Sequence, residues 1–241
     1  MDFLAYQRSF SENQLVWWLS AFLLLCAVIL CGLQAIPLVN LAMIFLMVAL
    51  CPLVIFGKLT KALCFGLWGS LVLLTYAIAT YRPEGFSYPA IWESPGLHEG
   101  GAPFIIFVNL SKGIGGLLLL AWLSGTSSQY QKRSMMSPFY SLGVALLGVV
   151  TMTALALWVF SIALILKFTY EFILFFGVNL IFTVIPEEVF FRLLLQKQIT
   201  TAFDSLFVGK AVALVAVGVL FAFVHAPCNH HSKPAHICRS F

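Results

Sequence analysis

Residues 13–57 read NQLVWWLSAFLLLCAVILCGLQAIPLVNLAMIFLMVALCPLVIFG, and none of these 45 positions carries a charged side chain. A membrane-spanning helix needs about 20 mostly apolar residues, so this stretch has room for two crossings joined by a tight turn near Gln34. The stretch lacks the short alternating pattern of a transmembrane β-strand, and backbone groups in lipid must be hydrogen-bonded within their own segment. It therefore predicts transmembrane α-helices.

The rest of the chain has the same character. It contains 241 residues, of which 61% are hydrophobic and 9% are charged, and its mean hydropathy is +1.01. A soluble domain carries about 25% charged residues, so the composition excludes an ordinary soluble fold. It also excludes intrinsic disorder, and a net charge of +4 over 13 cations is too diffuse for a nucleic-acid-binding surface. We expect partners to be membrane lipids and membrane-associated molecules.

Long uncharged runs predict about seven spans, and therefore an all-α polytopic transmembrane bundle. The predicted spans cover residues 15–33, 37–57, 62–81, 104–123, part of 134–166, a helix that begins at 172 and a helix that ends near 225. The first run is too long for a cleaved signal peptide, so we expect it to remain as an anchor. Residues 82–103 and 124–138 have loop composition. Seven lysines and arginines fall on one side against four on the other, which predicts a cytoplasmic N-terminus in a plasma membrane or endomembrane.

The sixth predicted span is interrupted by the sequence Ile185-Pro-Glu-Glu-Val-Phe-Phe-Arg192. Charges within spans cost roughly 2.5–3.5 kcal/mol each on insertion scales, so each one suggests a function. Glu188 and Arg192 are four residues apart and are expected to pair on one face of the helix. Glu187 points about 100° away and is left available as a general base. Pro186 is expected to open the helix just before the acidic pair and admit water. The alternative for the cluster is that Glu187, Glu188 and Arg192 form a structural ion-pair knot that fixes helix packing.

The last predicted span ends in Phe221-Ala-Phe-Val-His225. Turn-like composition near residues 201–205 lies midway between Glu187 and His225, so a reversal there brings both residues to the same depth. Each lies about 19 residues from the turn, roughly 28 Å along its helix. The spacing predicts a water molecule held between them, although a lone histidine on an apolar face is more often simply packed and hydrogen-bonded.

Lys112 is a further charge within a predicted span. It occurs in Asn109-Leu-Ser-Lys-Gly-Ile-Gly-Gly116, where small residues favour close helix packing. We expect Lys112 to be a structural partner of Glu171 or Glu188, and a role in substrate entry is the alternative.

The pattern Glu-Glu-x-x-x-Arg followed about 38 residues later by Phe-x-x-x-His resembles the CPBP family of intramembrane proteases, which includes the CAAX prenyl endopeptidases and proteins linked to bacteriocin self-immunity. The resemblance covers roughly residues 172–225. It implies that Glu187 is the catalytic base that activates water and that His225 positions this water or stabilises the oxyanion. Glu188 and Arg192 are then the supporting pair, and Phe221 is the packing residue of the second motif.

The resemblance requires no cofactor, and a divalent metal such as zinc is the alternative because members of the family were long described as metalloproteases. It implies an endopeptidase that acts on a membrane-associated or lipidated peptide. A non-catalytic immunity or scaffold protein of the same fold is the main alternative, whereas a transporter is disfavoured because the charges are concentrated in one helix.

The chain departs from the family pattern after His225. A third family motif, His-x-x-x-Asn on a later span, is missing, and we expect the active site to be impaired for that reason. The sequence predicts three parts: residues 1–171 as N-terminal spans, 172–225 as a partial catalytic core and 226–241 as a polar tail. The tail is interpreted as the product of a truncation or frameshift, and its alternatives are a solvated tail and a metal-binding segment that uses Cys228, His230, His231, His236 and Cys238.

Overall fold

The computed structural model describes residues 10–56, 59–94, 103–124, 138–160, 170–203 and 206–225. The chain begins with three long helices, which are α1 (Phe10–Gly32), α2 (Leu38–Phe56) and α3 (Lys61–Thr80). A hairpin of two antiparallel strands follows, made of β1 (Ala90–Ser94) and β2 (Phe104–Phe107). The next two helices are α4 (Leu110–Ser124) and α5 (Pro138–Phe160).

Residues 170–202 form one continuous helical run, which we call the motif helix because it carries the acidic motif. Its hydrogen-bonding pattern alternates between α and the wider π type. In order, its parts are α6 (Tyr170–Asn179), π1 (Leu180–Val184), α7 (Ile185–Glu188), π2 (Val189–Gln196) and α8 (Lys197–Ala202). The chain then reverses, as the sequence predicts, and α9 (Leu206–Val224) runs back along the motif helix.

Five of the described helices are long and apolar enough to cross a membrane. Their outer faces carry large apolar side chains that are exposed, such as Trp18, Leu73 and Phe223. Exposed apolar surface on this scale is unfavourable in water and natural in lipid. The chain is an integral membrane protein with a helical bundle, as the sequence predicts. The five helices cover Gln14–Gly32, Leu38–Ile55, Lys61–Thr80, Tyr170–Thr200 and Phe207–Val224.

The tight turn predicted near Gln34 is confirmed. Gln34 takes a positive φ of 58°, and its N–H donates to the carbonyl of Cys31 at 2.9 Å. The N–H of Ala35 donates to the carbonyl of Leu30, also at 2.9 Å. This pair of bonds satisfies carbonyls at the end of α1 and turns the chain directly into α2.

The prediction for residues 82–123 is wrong in two respects. Residues 104–107 form β2 instead of the first turn of a span, and residues 90–94 of the predicted loop form its partner β1. The sequence Phe-Ile-Ile-Phe is rich in aromatic and β-branched side chains, which suit a strand. The helix that follows, α4, is therefore only 15 residues long.

Pro186 disturbs the turn before it, as the sequence predicts, but the motif helix continues through the proline without a break. The preceding turns are π-helical, and the N–H of Ile185 donates to the carbonyl of Leu180, five residues earlier. A proline ring clashes with the carbonyl four residues before it in a regular α-helix, and wider turns relieve such a clash. Pro186 is buried.

Helix α4 lies at the centre of the bundle and packs against α1, α2, α3 and the motif helix. Its glycines permit the close contact with the motif helix. A Cβ atom added to Gly116 would lie 2.5 Å from Cβ and 2.6 Å from Cα of Pro186, and one added to Gly113 would overlap the Phe182 ring. These two glycines therefore set the distance between α4 and the acidic motif.

We expect Gly116→Ala to destabilise the protein by about 1–3 kcal/mol, because the added methyl group meets the backbone of Pro186. Gly69→Ala in α3 is the matched control, because a Cβ atom there meets nothing within 4 Å. The control should keep or raise the stability by up to about 1 kcal/mol through helix propensity. Thermal unfolding of both variants in detergent measures the difference, and equal melting temperatures would contradict the contact.

Candidate active site

The N-terminus of α4 fixes the first component of the site. The side-chain oxygen of Asn109 accepts a hydrogen bond from the backbone N–H of Lys112 at 3.0 Å, as in a helix N-cap. The amide nitrogen of Asn109 donates to the carbonyl of Ala79 at 2.9 Å and to the hydroxyl of Tyr88 at 3.1 Å. Asn109 thereby ties the start of α4 to the end of α3 and to the segment before β1.

Lys112 lies in the first turn of α4, and its side chain points toward the motif helix. Its Nζ atom is 2.6 Å from Oε1 of Glu187, and the two side chains are 20% and 23% exposed. The sequence predicted Glu171 or Glu188 as the partner of Lys112, and Glu188 is paired with Arg192 instead. Glu187, which the sequence left without a partner, is thus held by a cation from another helix.

His225 reaches the same carboxylate from the end of α9. Its Nε2 atom lies 3.8 Å from Oε1 of Glu187, so the structure brings the two predicted catalytic residues together. The Nδ1 atom of His225 lies 2.9 Å from the carbonyl oxygen of Phe221, which can only accept a hydrogen bond. Nδ1 is therefore the protonated nitrogen, and in the neutral ring Nε2 faces Glu187 as an acceptor.

The three supporting residues occupy their expected places. Nε of Arg192 lies 2.8 Å from Oε2 of Glu188, which confirms the pairing predicted from their spacing. Both side chains are at least half exposed, so this pair contributes little to stability. The ring of Phe221 stacks on the ring of His225, with centroids 4.2 Å apart, and its other neighbour is Phe191. Phe221 thus orients the histidine by packing.

A cavity of about 900 Å³ opens beside these residues. Its wall combines the catalytic candidates with apolar groups from α3, β2 and the motif helix. A second, smaller cavity of about 320 Å³ lies between the motif helix and α9, and Glu187 and Phe191 line both. The Glu187 carboxylate therefore borders both cavities. Members of the larger wall include Ile78, Ile105, Phe107, Lys112, Glu187 and His225.

Arg82 and Tyr88 form a polar part of the larger cavity, outside the spanning helices. The guanidinium group of Arg82 lies over the ring of Tyr88 at 5.3 Å, and its Nε atom donates to the carbonyl of Phe86 at 2.7 Å. Burial raises the pKa of the Tyr88 hydroxyl above its ordinary value, and the charge of Arg82 partly offsets this effect. Tyr88 therefore stays protonated at neutral pH and remains a hydrogen-bonding group.

Among the described residues, the donors around Glu187 are one ligand short of a catalytic zinc site. A catalytic zinc takes three protein ligands, and among the described residues no group of three or more His, Cys, Asp or Glu side chains comes together. Glu187 and His225 provide two donors, and the ammonium group of Lys112 sits on the carboxylate. The cysteines and histidines of the 226–241 tail lie outside the described residues.

Comparison with known protein families gives a match near the C-terminal end of the sequence. Residues 169–237 match the family model described as Type II CAAX prenyl endopeptidase Rce1-like. This match confirms the resemblance to the CPBP family. It covers less than a third of the chain and includes the motif helix, α9 and residues 226–237. Comparisons with curated proteins and with solved structures give no match.

Sequence reasoning missed two features of this CPBP-like site. The first is the Lys112 to Glu187 pair, which joins residues 75 positions apart. The second is Asn109, whose identity as an N-cap three residues before Lys112 was visible in the sequence. The predicted span began at residue 104, so Asn109 was read as part of its interior, where no cap is needed.

Proposed function

We propose that this protein is an intramembrane endopeptidase of the CPBP type. Glu187 acts as the general base, and the substrate is a membrane-associated or lipidated peptide. The observation that carries the proposal is the placement of Glu187 and His225 with their side chains 3.8 Å apart on the wall of a cavity of about 900 Å³. The family match supports a protease, and the exposed apolar helices support a substrate that is delivered within or beside the lipid.

A water molecule beside this pair can donate one hydrogen to Glu187 and the other to Nε2 of His225, because both groups are acceptors in the neutral-histidine state. Its lone pair then points away from both and toward a bound peptide. Glu187 removes a proton as the water oxygen forms a bond to the scissile carbonyl carbon. The carbon–nitrogen bond then breaks, and the proton held by Glu187 passes to the leaving amine. The products are a new carboxyl group, which carries the second proton of the water until it ionises and passes that proton to the amine or to solvent, and a new amine, with one water consumed.

The test uses the full chain, purified and reconstituted in lipid vesicles with a mixture of prenylated and unprenylated membrane-bound peptides. The reaction is run in water enriched in oxygen-18, and the products are analysed by mass spectrometry. We expect new carboxyl termini that carry one oxygen-18 atom each, and a chelating agent should not reduce their yield. Peptides that stay intact in these vesicles, while a known membrane protease cleaves them, would overturn the proposal.

One observation favours a second function, that of a non-catalytic immunity or scaffold protein. Glu187 and Glu188 are each ion-paired, to Lys112 and Arg192, and paired charges can serve only to hold helices. In that case a protective or partner-binding phenotype in cells should survive Glu187→Gln. Loss of the phenotype together with loss of peptide cleavage would favour the enzyme.

A further inference from the structure

Lys112 and Glu187 form a short ion pair between α4 and the motif helix. The Nζ to Oε1 distance is 2.6 Å, and both side chains are about four-fifths buried. Charge-assisted hydrogen bonds of this length are among the stronger ones in proteins. We infer that Lys112 is a positioning residue of the proposed active site, whose ammonium group fixes the Glu187 carboxylate beside His225.

Among the described residues, the other polar and charged groups near Glu187 are uncharged or interact with each other, so Lys112 is the cation that contacts its carboxylate. His225, from the end of α9, presents Nε2 at 3.8 Å and adds no charge in its neutral form. Glu188 and Arg192, on the motif helix itself, are paired with each other. Arg82 and Tyr88 line the same cavity but interact with each other and with Phe86 and Asn109. A general base must be oriented toward the water that it deprotonates, and the short hydrogen bond from Lys112 can fix that orientation.

A purely structural role for the pair is the competing explanation. The attachment of α4 to the motif helix does not depend on the pair, because Gly116 packs on Pro186 and Gly113 packs on Phe182. The start of α4 is also held by the Asn109 hydrogen bond to Ala79. A variant without the ammonium group should therefore fold, and its defect should lie in the position of the Glu187 carboxylate.

The inference rests on the proposed function, and its test has one readout that needs catalysis and one that does not. We expect Lys112→Met to reduce kcat at neutral pH at least tenfold with a much smaller change in KM, because it removes the hydrogen bond that fixes Glu187. Lys112→Arg should restore most of the rate, because it restores a charged donor. Lys210→Met is the matched control, since Lys210 is an exposed lysine of α9, and its kcat and KM should equal those of the unmodified protein.

The second readout is the infrared absorption of the Glu187 carboxylate at one fixed neutral pH, assigned by its disappearance in Glu187→Gln. The frequency of the carboxylate stretching bands depends on the hydrogen bonds that the group accepts, so Lys112→Met should shift these bands and Lys112→Arg should reverse the change. Bands that are identical with and without Lys112 would overturn the inference, whatever the activity. Shifted bands in a protein that cleaves no peptide would instead uphold the role of Lys112 and refute the proposed protease.

Discussion

Glu187→Gln is expected to slow peptide cleavage by about 10²–10⁴-fold, the range that a positioned general base contributes. Glutamine has nearly the same shape as glutamate and can still accept a hydrogen bond from Lys112, so the helix contacts around it should persist. It cannot take a proton from water, which is the step assigned to Glu187. Initial rates in lipid vesicles measure the loss, and circular dichroism checks that the helices remain.

Two other glutamates provide controls for this result. Glu188→Gln removes a charge next to Glu187 from an ion pair that is half exposed, so a much smaller decrease is expected. Glu84 lies outside the helices and its side chain is exposed, so Glu84→Gln should leave the rate unchanged. A protein in which Glu187→Gln and Glu84→Gln cleave equally fast would show that another group activates the water.

His225→Phe should reduce the cleavage rate by about 10²-fold or more, within the range for a group that binds the reacting water. Phenylalanine keeps a flat ring that can stack on Phe221, where the centroids are now 4.2 Å apart. It loses Nε2, which lies 3.8 Å from the Glu187 carboxylate. The substitution therefore separates the packing role of the ring from the chemical role of its nitrogen, and vesicle assays of the rate measure the second.

Phe223→Leu is the control for this substitution, because Phe223 lies on the same helix with 79% of its surface exposed. Its rate should match that of the unmodified protein. A protein in which His225→Phe is as active as this control would leave His225 with a packing role alone. The non-catalytic alternative predicts the same indifference for both His225 and Glu187.

Much of the fold could be predicted because apolar runs and charges carry direct physical information. The spans near residues 15–33, 37–57 and 62–81 agree closely with α1, α2 and α3. The Glu188 to Arg192 pair followed from helical spacing, and the shared depth of Glu187 and His225 followed from counting residues on either side of the turn. These inferences depend on local geometry or on one reversal of the chain. The division into residues 1–171, 172–225 and 226–241 and the cytoplasmic N-terminus stay predictions.

The errors arose where contacts between distant segments decide the outcome. The hairpin of β1 and β2 forms because two segments meet across ten or so residues, and hydropathy alone read the second segment as membrane helix. Lys112 finds Glu187 only because α4 packs on the motif helix through glycines at 113 and 116. The helix was expected to open before Pro186, and the π turns that carry it through the proline are not visible in the sequence.

The π turns on either side of Ile185–Glu188 also determine which way the site points. Each hydrogen bond in such a turn closes over five residues instead of four, so the segment contains more chain than a regular helix of the same height. One residue corresponds to about 100° of rotation around a helix axis. The extra chain in Leu180–Val184 therefore rotates the residues that follow it around the helix axis, relative to Tyr170–Asn179. Adding or removing a single residue there would turn both glutamates by about 100° without altering any residue of the motif itself.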